Sequence, residues 1–423
     1  MDLRSKLGLY QEGIGMMPEQ KSNKNGCDIH DLIQGEVLTN EQGTCFLVEK
    51  KIPMSTLYGG YRLGAALEVG SDAITALGGV DCQILETTSK LLYLDTETTG
   101  LSGGAGTVAF LVGTGFFEGD YFVIRQYFMR DYDEEAAMLE ELAQLFTEHQ
   151  GFVTFNGKAF DINLLQSRFI SNRFRPFFKD LPNLDLLYPS RRVWGLKLES
   201  CRLSSLEENI LSEYRIDDIP GAQIPYVYFK YLEDRDAREI KRVISHNESD
   251  ILSMVSLLSK LSDMMSNPFS QTDGGFELLG VGRLFEANGR TEEQLECLEA
   301  CTESELFTVR MNAVKRLTKV YKRKGSYEQA LDHWEALDAE NPEFETFHLI
   351  EMAKYYEHKS KNPLMALSIV DKAIQNCLRA GLSGTRQFEE LKKRKNRLMK
   401  KSHTSLKQPT WKEPRTGWEH LDV

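Results

Sequence analysis

The rhythm of apolar and polar positions changes several times along the chain. Residues 1–35 are polar and aperiodic, with "EQKSNKNG" in the middle, which predicts a mobile arm. From 36 to 88, short β-like runs such as "CFLVEKKI" alternate with Gly-rich turns such as "YGGYRLG", predicting a small β extension packed on the domain C-terminal to it. From 89 the pattern is α/β. "KLLYLDT" reads as a strand, and "TVAFLVGTGFF", the turn "EGD" and "YFVIRQYF" read as a hairpin. "DEEAAMLEELAQLFTEH" has helical spacing of Ala136, Leu139, Leu142, Leu145 and Phe146. The strand "GFVTF", a turn at Asn156 and Gly157 and the helix "AFDINLLQSRFI" come next, and a long helix over 236–261 ends before the breaker "NPFSQTDGG". These elements predict one α/β domain over 89–266, a mixed central sheet flanked by helices.

Beyond the breaker the pattern is all-helical with an internal period. Three segments, 287–300, 324–337 and 361–374, align at a spacing of 36 and place Leu295, Leu331 and Leu367 in register. The middle copy, with Leu317, Tyr321, Gly325, Tyr327, Ala330 and Leu331, resembles a tetratricopeptide repeat, so 275–382 is expected to form helical repeats. Residues 383–423 form a basic tail. It is either a solvated charged face or a phosphate-tracking segment with Trp411 and Trp418 available to stack on bases.

Composition narrows the function classes. With 41% hydrophobic and 27% charged residues, the 423-residue chain is neither globally disordered nor fibrous. No apolar run approaches the roughly 20 residues that span a bilayer, and no signal-peptide pattern opens the chain, so a cytoplasmic protein is expected. The seven cysteines contain no CxxC pair, which argues against a disulfide framework or zinc ribbon. A net charge of −12 argues against a generic nucleic-acid coat but leaves open an enzyme that meets nucleic acid through local basic patches and metal ions.

The chemistry concentrates in carboxylates. Asp95 and Glu97, at i and i+2 on a strand, project to one side, and their mutual repulsion is relieved most simply by a hard divalent cation. Asp161 sits in the opening turns of a helix after the Asn-Gly turn. Asp250 lies on the long helix four residues after His246, on the same face. Elsewhere, "SGGAG" (102–106) lacks the GK[ST] of a phosphate loop. Around Trp194, the cations Arg191, Arg192 and Lys197 suit either phosphate contacts and base stacking or a surface loop anchored by a core tryptophan. Asp185 in "NLDLL" is read as structural.

In this order and spacing, "LDTETTGL", "FNGKAFDINLL" and "HNESD" resemble the three motifs of the DEDD (DnaQ-like) superfamily of 3′-to-5′ exonucleases, which have a ribonuclease H-like fold. "TGLSGGAGTVAFLVG", "DLLYPSRRVWGLKLESCRLSSLE" and the helical C-terminus resemble the bacterial YprB family. The resemblance implies hydrolysis of DNA by two Mg²⁺ or Mn²⁺ ions, with Asp95 bridging both, Glu97 and Asp250 completing the first and Asp161 holding the second through water. It implies His246 as the base, although the histidine of that branch usually precedes its aspartate by five residues rather than four. It further implies a role in DNA repair or processing, with a protein partner such as a helicase docked on the repeats. An exoribonuclease of the same fold and a catalytically inactive adaptor are the alternatives.

Overall fold

The computed structural model describes residues 26–79, 82–100, 106–340 and 345–405. Most of the arm, most of "SGGAG" and the tail beyond 405, with Trp411 and Trp418, lie outside them. The chain divides into two compact units, Met1–Gln271 and Thr272–Val423, with the division inside the breaker segment.

The first unit is built on a mixed seven-stranded sheet. Its strands are β1 (Glu36–Asn40), β2 (Gly43–Pro53), β5 (Leu91–Thr98), β6 (Ala109–Glu118), β7 (Tyr121–Phe128), β8 (Gly151–Thr154) and β9 (Asn183–Asp185), in the order β1-β2-β7-β6-β5-β8-β9. The pair β3 (Leu57–Tyr58) and β4 (Tyr61–Arg62) stands apart from it. β5 pairs antiparallel with β6 and parallel with β8, so it lies at the inner seam where the sheet changes direction. Its apolar run is buried on both faces, as expected for a strand covered by helices on each side. The helices include α1 (Glu135–Thr147), α2 (Asp161–Ser171), α3 (Leu187–Trp194), α4 (Ile224–Asp234) and α5 (Arg238–Ser266), beside the helix Ser71–Gly78 and shorter turns. α5 packs on β5, β6 and β7, which sets its polar face near the end of β5.

Two boundaries differ from the sequence reading. Residues 36–88 are not a separate extension: β1 and β2 continue the central sheet, because β2 pairs with β7 over eight positions from Phe46↔Phe128 to Pro53↔Tyr121. Residues 26–35, assigned to the arm, carry the short helix Ile29–Leu32, and Ile29 and Ile33 are buried in the domain core.

The second unit is all helical: α6 (Gly275–Ala287), α7 (Thr291–Thr302), α8 (Phe307–Lys324), α9 (Tyr327–Ala339), α10 (Phe347–His358), α11 (Pro363–Arg379) and α12 (Arg386–Ser405). Each packs on the next. Helices α7, α9 and α11 begin at Thr291, Tyr327 and Pro363, reproducing the spacing of 36. Gly325 terminates α8 in the left-handed region at φ +83°, where a side chain would be strained. The proximal half of the basic tail has a solvated charged face, with Lys392, Lys393 and Lys400 exposed, but also an apolar one. It forms α12, which buries Phe388, Leu391 and Leu398 in the helical core. Among the described residues no helix is long and apolar enough to cross a membrane.

Candidate active site

Strand alternation divides the first motif between the two faces of β5. Asp95 and Glu97 face α5, while Thr96, on the other side, donates its hydroxyl to Asp161 Oδ1 over 2.5 Å. Asp161 opens α2 at a place fixed by Asp185, whose carboxylate accepts the backbone N–H groups of Asn156 (2.7 Å), Lys158 (3.1 Å) and Leu187 (3.1 Å). Asn156 is left-handed at φ +69°, the conformation the Asn-Gly turn requires. Asp185 thus orders the turn that delivers Asp161.

From α5, His246 and Asp250 meet Glu97. His246 Nε2 lies 3.5 Å from Asp250 Oδ2 and 4.0 Å from Glu97 Oε1. One donor atom from each of Glu97, His246 and Asp250 falls within a set no wider than 4.8 Å, close enough to share one metal ion. Asp95 and Asp161 stand outside that tight set, but their charges act on it. Burial pushes the Glu97 carboxyl well above the usual range, and the negative charges of Asp95, Asp250 and Asp161 push it further. Asp95 is raised in the same direction by burial, Asp250 and Asp161. Burial raises Asp161 to about 6 against the lowering effect of its hydrogen bond from Thr96. The buried, clustered acids therefore disfavour one another's charge more than the neighbouring cation offsets it. The carboxylates of Asp95, Glu97, Asp161 and Asp250 are hard oxygen donors that suit Mg²⁺ or Mn²⁺, so the residues fit the implied metals.

Several participants were not identified from the sequence. Asn247 is fully buried and donates to Asp95 Oδ2 (2.8 Å), and its own Oδ1 accepts from Gln126 Nε2 (2.9 Å). Room for it exists only because the residue opposite Asp95 on β6 is Gly113, where a Cβ would stand 1.9 Å from Asn247 Oδ1. A glycine inside the apolar strand "FLVGTGFF" and a polar residue between Val243 and Ile251 on a buried helical stripe were the available signals. Arg215 is the second omission. It pairs with Asp250 through Nη2, grips Glu207 with Nε and Nη2 (2.7 and 2.5 Å) and brings Nη1 within 3.0 Å of His246 Nδ1. Its burial disfavours charge, but Asp250 and Glu207 outweigh that and hold the guanidinium protonated. Arg215 comes from an irregular segment without periodicity, so no pattern pointed to it.

The proposed nucleic-acid residues fare unevenly. Trp194 is fully buried, so its ring is not available for stacking on bases, and the core-anchor alternative describes it. Arg191 and Arg192 lie on the last turn of α3, with Arg191 exposed, and Lys197 follows just after it. Cys297 and Cys301 are buried among the helices of the second unit, and burial pushes both thiols up to about 12.

Comparison with known proteins agrees with this geometry. Residues 92–262 match the model of the RNase_H superfamily, a span that contains the sheet from β5 onward and all five acid and imidazole positions. Over 371 residues the chain is 29% identical to "Uncharacterized protein YprB" of Bacillus subtilis (strain 168), covering 85% of this chain and 87% of that protein. Nucleases of this superfamily typically use divalent metals, and the superfamily supports a nuclease function and nucleic-acid binding. Residues 92–262 are therefore a ribonuclease H superfamily domain within a chain that is similar to YprB over most of its length.

Proposed function

We propose that the protein is a divalent-metal-dependent 3′-to-5′ exonuclease that hydrolyses DNA by a two-metal-ion mechanism, working in the cytoplasm in DNA repair or processing. The observation that carries this reading is the convergence of the Glu97 and Asp250 carboxylates with His246 within 4.8 Å, beside Asp95 and Asp161, where burial and the neighbouring acids push the Glu97 carboxyl well above its usual range. Asp95, Glu97, Asp161 and Asp250 would hold Mg²⁺ or Mn²⁺, which when bound supplies the positive charge that activates water and stabilises the departing 3′ oxygen.

The chain's own residues have distinct tasks. Asn247 fixes the rotamer of Asp95 through a 2.8 Å hydrogen bond, and Thr96 does the same for Asp161. Arg215 takes one oxygen of Asp250 and leaves the other toward His246. His246 Nε2, facing Glu97 and Asp250, accepts the proton of the attacking water. Arg191, Arg192 and Lys197 are candidates for phosphate contacts along the bound strand. The helical unit, with its repeat of 36 residues, would dock a protein partner such as a helicase or another repair factor.

Polarity and substrate class are tested together by incubating purified protein with 3′- and 5′-labelled single- and double-stranded DNA and RNA in Mn²⁺. Stepwise shortening of 5′-labelled DNA from its 3′ end is the expected result. Shortening from the 5′ end overturns the polarity, and exclusive RNA degradation overturns the substrate.

A further inference from the structure

The histidine has a partner of its own. His246 Nδ1 lies 2.7 Å from Asp218 Oδ1, on the side of the ring away from Glu97 and Asp250. A carboxylate oxygen only accepts, so Nδ1 carries the hydrogen in that contact, and in the neutral ring Nε2 is then left with its lone pair. We propose that Asp218 is the positioning residue of His246, holding the imidazole in the Nδ1–H tautomer that keeps Nε2 free to take the proton of the attacking water. This rests on the reading of His246 as the base.

Asp218 is placed for this role by several independent contacts. Arg242, one turn before His246 on α5, donates to the backbone carbonyls of both Asp217 (3.1 Å) and Asp218 (2.9 Å). The next residue, Ile219, is buried in the domain core. Asp217 is left-handed at φ +55°, the turn that brings the following carboxylate back toward α5. Both ends of the contact are therefore anchored to the same helix.

Arg215 makes the assignment discriminating. Its Nη1 stands 3.0 Å from the same Nδ1 and 3.6 Å from Asp218 Oδ2. A guanidinium only donates, so it cannot bond to an Nδ1 that bears hydrogen, and with Asp218 present it turns to that carboxylate instead. With Asp218 removed, Arg215 is the remaining neighbour of Nδ1 among these contacts. Its N–H then makes Nδ1 the acceptor and moves the ring hydrogen to Nε2, which points a donor rather than a lone pair at the reacting water. In the intact site a water O–H bond breaks and its proton passes to Nε2, the oxygen forms the new bond to phosphorus, and the bond to the 3′ oxygen breaks with its electron pair leaving on that oxygen, which takes a proton from solvent. Asp218 balances the imidazolium that results.

The test uses the full chain with ¹⁵N-labelled histidine, in EDTA, at the alkaline end of a pH series over which the ring holds a single hydrogen. His246→Ala identifies the resonances. Wild type should show a hydrogen on His246 Nδ1 and a bare Nε2, and Asp218→Ala should move the hydrogen to Nε2. A wild-type ring protonated at Nε2, or a tautomer unchanged by the substitution, overturns the proposal whether or not the protein cleaves DNA. On DNA, Asp218→Ala should lower kcat by about 10- to 100-fold with KM unchanged, the range typical of a group that orients another. In a His246→Ala background it should cost nothing more. A loss that persists in that background assigns Asp218 a purely structural part and overturns the proposal, and Asp218→Asn, which keeps the volume, serves the same cycle if the alanine variant does not fold.

Discussion

Replacing Gly113 by alanine puts the architecture of the site to a stringent test. The added Cβ would lie 1.9 Å from Asn247 Oδ1, 2.6 Å from its Cγ and 2.7 Å from its Nδ2, so the side chain of Asn247 must leave. Overpacking of a tight core costs about 1–3 kcal/mol. Displacement also removes the donor of Asp95 Oδ2, and a stranded buried polar group adds about 1–3 kcal/mol. The sum is about 4 kcal/mol, a large part of the stability of an ordinary domain. Denaturant-dependent hydrogen exchange on peptides from β6 and β7 reads this unit separately from the helical one. The companion variant Asn247→Ala loses the same hydrogen bonds but opens space, so in the double variant the overpacking disappears, the stranding of Asp95 is counted once, and the two costs fall short of additive by about 4 kcal/mol. A Gly113→Ala cost below about 1 kcal/mol, or strict additivity with Asn247→Ala, would falsify the close approach described for these residues.

Other expectations rest on the same contacts. Between about pH 4, where an unfolded aspartate releases its proton, and about 6, where the folded Asp161 does, the folded chain holds the extra proton, and Asp95 and Glu97 shift in the same sense. Their contribution to metal-free stability is thus full below about pH 4 and fades as pH rises through about 6. In EDTA the Tm of this unit should fall over that range, while Mn²⁺ offsets the loss; a flat profile in EDTA would contradict the shifts. Asp185→Ala, which strands three backbone N–H groups, should destabilise the unit by about 3 kcal/mol in urea unfolding; a cost below about 1 kcal/mol removes its structural role. In the helical unit, the buried Glu357 accepts from Arg394, Arg397 and Lys401 of α12. Burial alone would raise its carboxyl, but Arg397 and Lys401 prevail and hold it at about 2. Its contribution is present above about pH 4, the unfolded range, and is lost as pH falls through about 2. Glu357→Ala should therefore release α12 to trypsin at neutral pH, and unchanged protection would show that apolar packing alone holds the helix. A test of DNA binding by the tail must truncate after Ser405, since the helix before it belongs to the core. If the distal tail tracks phosphates, that truncation flattens the salt dependence of binding, and an unchanged slope assigns it no role.

What the sequence revealed depended on how locally each feature was encoded. "LLYLDTE" carries a strand and its acids within a few residues, and the four-residue step from His246 to Asp250 is one helical turn, so both were legible. The hairpin of β6 and β7 was equally plain, because its turn sits between two apolar runs. By contrast, β2 reaches the central sheet through partners some 70 residues away, such as Lys50↔Ile124, and nothing in its own pattern distinguishes that from a separate extension. Arg215 and Asp218 arrive on an irregular segment, and their roles arise only when α5 brings His246 to them. Trp194 shows the opposite failing: its cationic neighbours suggested a binding loop, but the indole itself faces the core. The basic stretch after 386 was read by charge alone, although Phe388, Leu391 and Leu398 mark the face by which it packs.

The central claim is that these acids hold divalent cations for phosphodiester hydrolysis, and single-turnover cleavage of a 5′-labelled DNA strand tests it most directly. Wild type should cleave in Mn²⁺ and not in EDTA, and an Asp95→Asn, Glu97→Gln double variant, of nearly unchanged shape, should not cleave in either. Cleavage at the wild-type rate in EDTA, or by the double variant in Mn²⁺, would contradict the account.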